Sequence, residues 1–302
     1  MKVYNYTPED LGFEAFPQGT LRLQGHNIKQ VTDPDKADVF VLPPIIRILV
    51  PGSGQQPDWN RLPYLEGNED RHVVYSVADD MYMNTPPTMI AFRCECTQDV
   101  LKRNPDTIAW PWPVDDLWAW MSLRDGRFTH DITFHGWVST GLCAKALDII
   151  ERIPYLSHDI RRDKRFWGTR GVFSPEEYVK LRRTFLDSMQ ASRTSLSVRS
   201  IPSGVIRYRF YEAMSMGRFV IHVNDGCVYP FDWAIDYDQV CLRVPEAAVD
   251  KIEQHMSAVW ALPDQQLIEM GLYAREMWDR YLNSAKWPEI MGEVVKEIEG
   301  YL

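Results

Sequence analysis

Short runs rich in apolar, β-branched and aromatic residues recur along this chain, and they limit it to an α/β fold built on parallel sheets. Met1 to Tyr6 and Val39-Phe40-Val41-Leu42 are such runs, the second ended by Pro43-Pro44. They read as strands buried on both faces, joined by a weak helical or loop crossover over 11–30 and a short connection over 31–38. A third strand, Arg71 to Val77, opens into Ala78-Asp79-Asp80, and a fourth lies around Thr107 to Trp110.

A second set begins with Ile132-Thr133-Phe134-His135-Gly136-Trp137, followed by an amphipathic helix from Gly141 to Ile153. Ser174-Pro175-Glu176-Glu177 starts a helix running to Ala191, with Tyr178, Leu181, Phe185 and Met189 at helical spacing. Thr194 to Arg199 is a strand, about 206–215 a helix that Gly217 ends, Arg218 to Val223 the next strand, and Gln239 to Val244 a strand-like edge. Helices over about 246–259, 263–281 and 286–302 complete the chain. We place the domain change near Asp131, giving units 1–131 and 132–302.

A length of 302 residues suits two domains, and 45% hydrophobic with 25% charged residues gives both a core. The net charge of -9 disfavours broad adhesion to DNA or anionic membrane. One local basic cluster, Arg161, Arg162, Lys164, Arg165 and Arg170, either tracks a phosphate chain or acidic acceptor or is a solvated helix end. The five cysteines show no metal spacing beyond Cys94-Glu95-Cys96 and read as reduced thiols. No signal peptide and no run of about 18 apolar residues is present. The expectation is a soluble, unprocessed, cytoplasmic protein.

Ligands of open α/β sheets collect beyond the carboxyl ends of the strands, which makes Asp79 and Asp80 candidates for chemistry. Both also suit a turn or helix cap. The stronger candidate is the segment Ser203 to Phe231. A loop, Ser203-Gly204, follows the strand ending at Arg199 and precedes a helix start carrying Arg207 and Arg209. Free backbone N–H groups and the helix dipole there favour a diphosphate. Arg209 can bind phosphate bidentately, and Glu212, three residues on, shares its helical face and could accept the two ribose hydroxyls. An ordinary surface Arg–Glu pair fits that spacing equally well.

Arg209-Phe210-Tyr211-Glu212-Ala213, Gly217, Phe219-Val220-Ile221, Asp225, Tyr229-Pro230-Phe231, Asp236-Tyr237 and Val244-Pro245-Glu246 together resemble the second domain of the exostosin family of glycosyltransferases. Thr32-Asp33-Pro34, Ala37 to Phe40, Leu42-Pro43, Arg71-His72, Asp106 to Pro111 and Phe134-x-Gly136 match landmarks of its first half in order. Arg207 replaces a small hydroxyl residue of the family, and Val220 a proline. The resemblance implies a GT-B fold of two facing Rossmann-like domains, with a C-terminal helix that crosses back to the first.

It further implies transfer, with inversion and without a metal or other cofactor, from a nucleotide sugar, UDP-sugar favoured, held by Arg199, Ser203, Gly204, Arg207, Arg209, Glu212 and Asp225. Asp79 or Asp80 is the candidate base and His135 with Gly136 lines the site. The acceptor is a glycan or other hydroxyl compound, and the lack of the family's usual membrane stalk implies a bacterial or viral source. A viral enzyme acting on a capsid glycan or hydroxymethylated DNA bases is a variant of this reading. A catalytically silent protein that binds glycan or nucleotide sugar is the alternative. The tryptophans Trp110, Trp112, Trp118, Trp120 and Trp137 either stack on acceptor sugars or pack the core.

Overall fold

A computed structural model describes residues 1–11, 22–42, 58–76, 85, 88–94, 96–120, 128–138, 140–163, 173–199 and 205–300. Its contacts separate the chain into two units. The first comprises Met1–Trp112, Gly226–Phe231 and Ser284–Leu302, and the second comprises Pro113–Asp225 and Asp232–Asn283.

The first unit is built on a six-stranded parallel sheet of β1 (Lys2–Asn5), β2 (Lys29–Val31), β3 (Val39–Val41), β4 (His72–Ser76), β5 (Ile90–Arg93) and β6 (Thr107–Ala109), in the order β2-β1-β3-β4-β5-β6. Tyr4, Tyr6, Phe40, Leu42, Val74, Met89 and Ala91 form its core with Leu62 and Leu65. Each such side chain withdrawn from water contributes about 1.5–3 kcal/mol. The short helix α1 (Gln98–Arg103) is capped by Thr97, whose hydroxyl accepts from the Val100 N–H.

Two strands of this sheet differ from the sequence expectation. Residues Lys29–Val31 form an edge strand on β1 rather than part of a connection, and β5 lies between the two strands expected as third and fourth. The terminal helix α7 (Trp287–Ile298) belongs to this unit, as expected of a helix that returns to it. Trp287 packs edge-on against Tyr75 and Trp110, at 5.6 and 5.7 Å between ring centroids. Trp110, also against Phe92 and Phe231, is therefore a core residue.

The second unit carries a five-stranded parallel sheet of β7 (His130–Trp137), β8 (His158–Asp163), β9 (Ser192–Val198), β10 (Phe219–Val223) and β11 (Cys241–Val244), in the order β11-β10-β9-β7-β8. Both units thus have the expected α/β, Rossmann-like construction. Ile132, Phe134, Leu196, Val198, Phe219, Ile221 and Val223 face one side of the second sheet and pack on α2 (Gly141–Ile150) and α5 (Ile252–Trp260). The remaining helices are α3 (Pro175–Ala191), α4 (Tyr208–Ser215) and α6 (Asp264–Met277).

Local signals set these boundaries. Ser174 and Glu177 form a reciprocal capping box at the start of α3, with Pro175 at its first position. Gly217 ends α4 at φ 62°, a left-handed conformation that costs a side chain free energy. The same glycine meets Gly271 of α6, where an added Cβ would lie 2.2 Å from the Gly217 carbonyl oxygen. Among the described residues no helix is long and apolar enough to cross a membrane.

Candidate functional site

In the second sheet the chain passes from β7 outward to β8, then returns to the other flank of β7 as β9. Where the strand order reverses in this way, the flanking loops splay apart at the carboxyl ends and leave a crevice for ligand. The switch point lies between β7 and β9, and the residues at the end of β7 are His135, Gly136 and Trp137.

Gly136 has φ 147°, and its missing Cβ is what admits a neighbour: a Cβ there would stand 2.1 Å from Nη2 of Arg209. Arg209, in the first turn of α4, extends its guanidinium over the end of β7. Nη2 donates to the His135 carbonyl oxygen at 2.5 Å, and Cζ stands 4.3 Å from the centroid of the Phe134 ring. Its Nε–H is buried and has no acceptor among the described residues. Buried donors nearly always have a partner, so this N–H is capacity that a further group could meet. Arg207 is the residue that precedes α4. Ser203 and Gly204, expected beside it, lie outside the described residues, as do Asp79 and Asp80.

Glu212, one turn beyond Arg209, is 4% exposed. Its partner is not Arg209 but Arg182 of α3, whose Nη1 donates to Oε1 at 2.5 Å. Arg182 escaped the sequence reading because 30 positions separate the pair. Its one local signal is that it sits three residues before the buried Phe185 and four before the buried Leu186, on the inner face of α3.

Arg199 and Asp225, expected on the donor, share a third residue, Glu246. Arg199 Nη2 donates to Glu246 Oε2 at 2.9 Å, the Asp225 N–H to Oε1 at 3.1 Å, and the Glu246 N–H returns a bond to Asp225 Oδ2 at 3.1 Å. This set ties together the carboxyl ends of β9, β10 and β11.

The His135 ring points to the face opposite Phe134, and its Nε2 is 3.0 Å from Asp159 Oδ1 of β8. Burial lowers the His135 pKa against the opposing pull of Asp159, so the ring is neutral near pH 7. Burial raises the Asp159 pKa, but hydrogen bonds from Ser188 and His135 outweigh it and hold the carboxyl below its usual range. Thr133 and Ser188 share a hydroxyl contact of 2.5 Å beside them. His135 Nδ1 has no partner among the described residues.

The described part of the basic cluster is strand rather than helix end. Arg161 and Arg162 belong to the edge strand β8, Arg161 pairing with Asp163 at 3.0 Å and Arg162 with Asp148 at 2.7 Å and with Glu151. Lys164, Arg165 and Arg170 lie outside the described residues. Trp118 packs on Arg275, which forks onto Asp116 at 2.6 and 2.9 Å, while Trp137 is partly exposed at the end of β7. Among the described residues no three His, Cys, Asp or Glu side chains gather as a metal-holding group.

No protein-family model matches the chain, and no curated protein does. Solved structures with a similar path include a glycosyltransferase from Rickettsia africae ESF-5, 12% identical, covering 87% of this chain and 77% of that one at a TM-score of 0.48. AviGT4, a glycosyltransferase involved in avilamycin A biosynthesis, is 12% identical over 93% of this chain and 96% of its own, at 0.41. TarM is 13% identical over 80% of this chain and 52% of its own, also at 0.41.

Proposed function

We propose that this protein is a glycosyltransferase of the exostosin-like, GT-B kind, moving a sugar from a nucleoside-diphosphate sugar, UDP-sugar favoured, to an acceptor hydroxyl with inversion. The observation that carries the reading is the Arg209 guanidinium, fixed over the switch point of the second sheet with a buried N–H unspent among the described residues. Such a group suits a diphosphate, which offers planar pairs of oxygens and gains charge as it leaves. The sequence pattern from Arg209 to Glu246 supports the same assignment.

In the reaction the acceptor oxygen forms a bond to the anomeric carbon as the bond from that carbon to the diphosphate oxygen breaks. The electron pair goes to the diphosphate, where Arg209, with Arg207 and the start of α4, stabilises it. Ser203-Gly204 supplies close-approach backbone, Glu212 accepts from the ribose hydroxyls, and Arg199 and Asp225 shape the rim. Asp79 or Asp80 takes the acceptor's proton, and His135 with Gly136 lines the diphosphate end.

The test is a thermal-shift screen over nucleotides and nucleotide sugars, followed by release of nucleoside diphosphate from the donor that stabilises the protein most. Removing Arg209 should slow release by about 10²- to 10³-fold, the effect of losing one charge-stabilising group. An Arg209→Ala protein that folds and releases the diphosphate at the wild-type rate refutes the assignment. Donor binding with no turnover on any acceptor would instead identify a silent binding protein.

A further inference from the structure

Glu212 is an acidic residue in the interior of the second unit whose carboxylate has one hydrogen bond among the described residues, from Arg182 Nη1 to Oε1. An ionised carboxylate has about four sites for donors. Oε2 receives none among the described residues. Three residues earlier on the same helix, Arg209 has the complementary condition, a buried N–H with no acceptor among them. Side chains three apart on a helix are neighbours. One strip of α4 therefore offers acceptor capacity at one end and donor capacity at the other.

A ligand that answers both carries hydroxyl donors next to anionic acceptors, which is the ribose-phosphate end of a nucleotide. Arg182 decides how Glu212 meets it. The guanidinium comes from α3, its Cζ 5.3 Å from the Phe185 ring centroid, and it holds Oε1 from the side. Buried ion pairs are poor stabilisers compared with apolar packing of the same volume, so one retained between two helices points toward a specificity role. Without the guanidinium, no hydrogen bond among the described residues would fix the orientation of the carboxylate.

We propose that Arg182 is a positioning residue that holds Oε1 of Glu212 and so turns its Oε2 to read the ribose hydroxyls, making Arg182 a determinant of ribose over deoxyribose. The proposal rests on the donor reading of this site.

The experiment measures binding of UDP, GDP and ADP, each against its 2′-deoxy form, to the wild type, R182M and R182K by calorimetry, with melting curves of each protein. The wild type should prefer the ribonucleotide by about tenfold or more, the effect of one hydrogen bond to a charged group. R182M should bring that ratio close to one while still binding the diphosphate, and R182K should restore most of it. An R182Q protein measured in parallel carries the comparison if R182M does not fold. A ratio unchanged in a folded R182M or R182Q overturns the role of Arg182 alone. A wild type that binds none of the three ribonucleotides overturns the donor reading and this role with it.

Discussion

Replacing Gly136 by alanine perturbs the site through one methyl group. The new Cβ would lie 2.1 Å from Nη2 of Arg209 and 3.3 Å from its Cζ, against ordinary contacts of 3.4 Å and beyond. Nη2 must then retreat by about 1.3 Å, the shortfall from a relaxed contact. Its bond to the His135 carbonyl, now 2.5 Å, would pass out of hydrogen-bonding range. A bond of this charge-assisted kind is worth about 1.5–3 kcal/mol, and a side chain held at this φ adds about 1–3 kcal/mol of strain.

We expect a folded protein with a lower melting point and nucleoside-diphosphate affinity reduced about 10- to 100-fold, the worth of one hydrogen bond to a charged group and near the affinity loss expected of Arg209→Ala. Calorimetric titration of wild type, Gly136→Ala, Arg209→Ala and the double variant checks this, because two changes acting through one guanidinium are not additive. If Gly136→Ala binds as tightly as wild type, or if the double variant loses the full sum of the two single losses, Gly136 does not act through Arg209.

Three further outcomes follow from the second unit. Ser174→Ala removes the capping box of α3 and should cost about 1 kcal/mol in denaturant unfolding, with nucleotide affinity unchanged. Gly271→Ala would drive a Cβ to 2.2 Å from backbone that cannot swing aside, and should lower the melting point by roughly 6 °C or more; a shift under about 2 °C contradicts the close approach. Burial, aided by Arg199, lowers the His222 pKa to about 3 from an ordinary 6.5. Between those values the unfolded chain binds the extra proton, so the stability is complete above about pH 6.5 and drains as pH falls toward 3. The slope approaches about 1.4 kcal/mol per pH unit. Denaturation midpoints from pH 7 to pH 5 should fall less steeply in His222→Gln than in the wild type.

What the sequence made legible was local. The Ser174 capping box, the glycine after α4 and the apolar runs of β1, β3, β7 and β10 each express their structure within a few residues. Two of the strands that escaped notice lack that signature, and the third carries it over only four residues, Met89 to Phe92. Lys29-Gln30-Val31 is a polar edge segment, His158 to Asp163 alternates charge on the outer strand, and Ile90 to Arg93 ends in a fully buried arginine. At the site, Arg209 could be singled out from its helix start. The reversal of strand order beneath it, the hold of Arg182 on Glu212 and the contact of Asp159 with His135 join residues distant along the chain, and no spacing rule encodes them.

The first unit closes its core with Trp287, which packs on Tyr75 and Trp110, and it also takes in Gly226–Phe231. On a ribosome, then, the N-terminal sheet is long made before its last partners exist. Tyr75 and Trp110 must wait, lacking the Trp287 contact, while some 170 further residues are synthesised, at about 5–20 residues per second. The order of synthesis is not the order of completion, and a fragment ending near Trp112 would present to solvent the aromatic surface that the full chain buries.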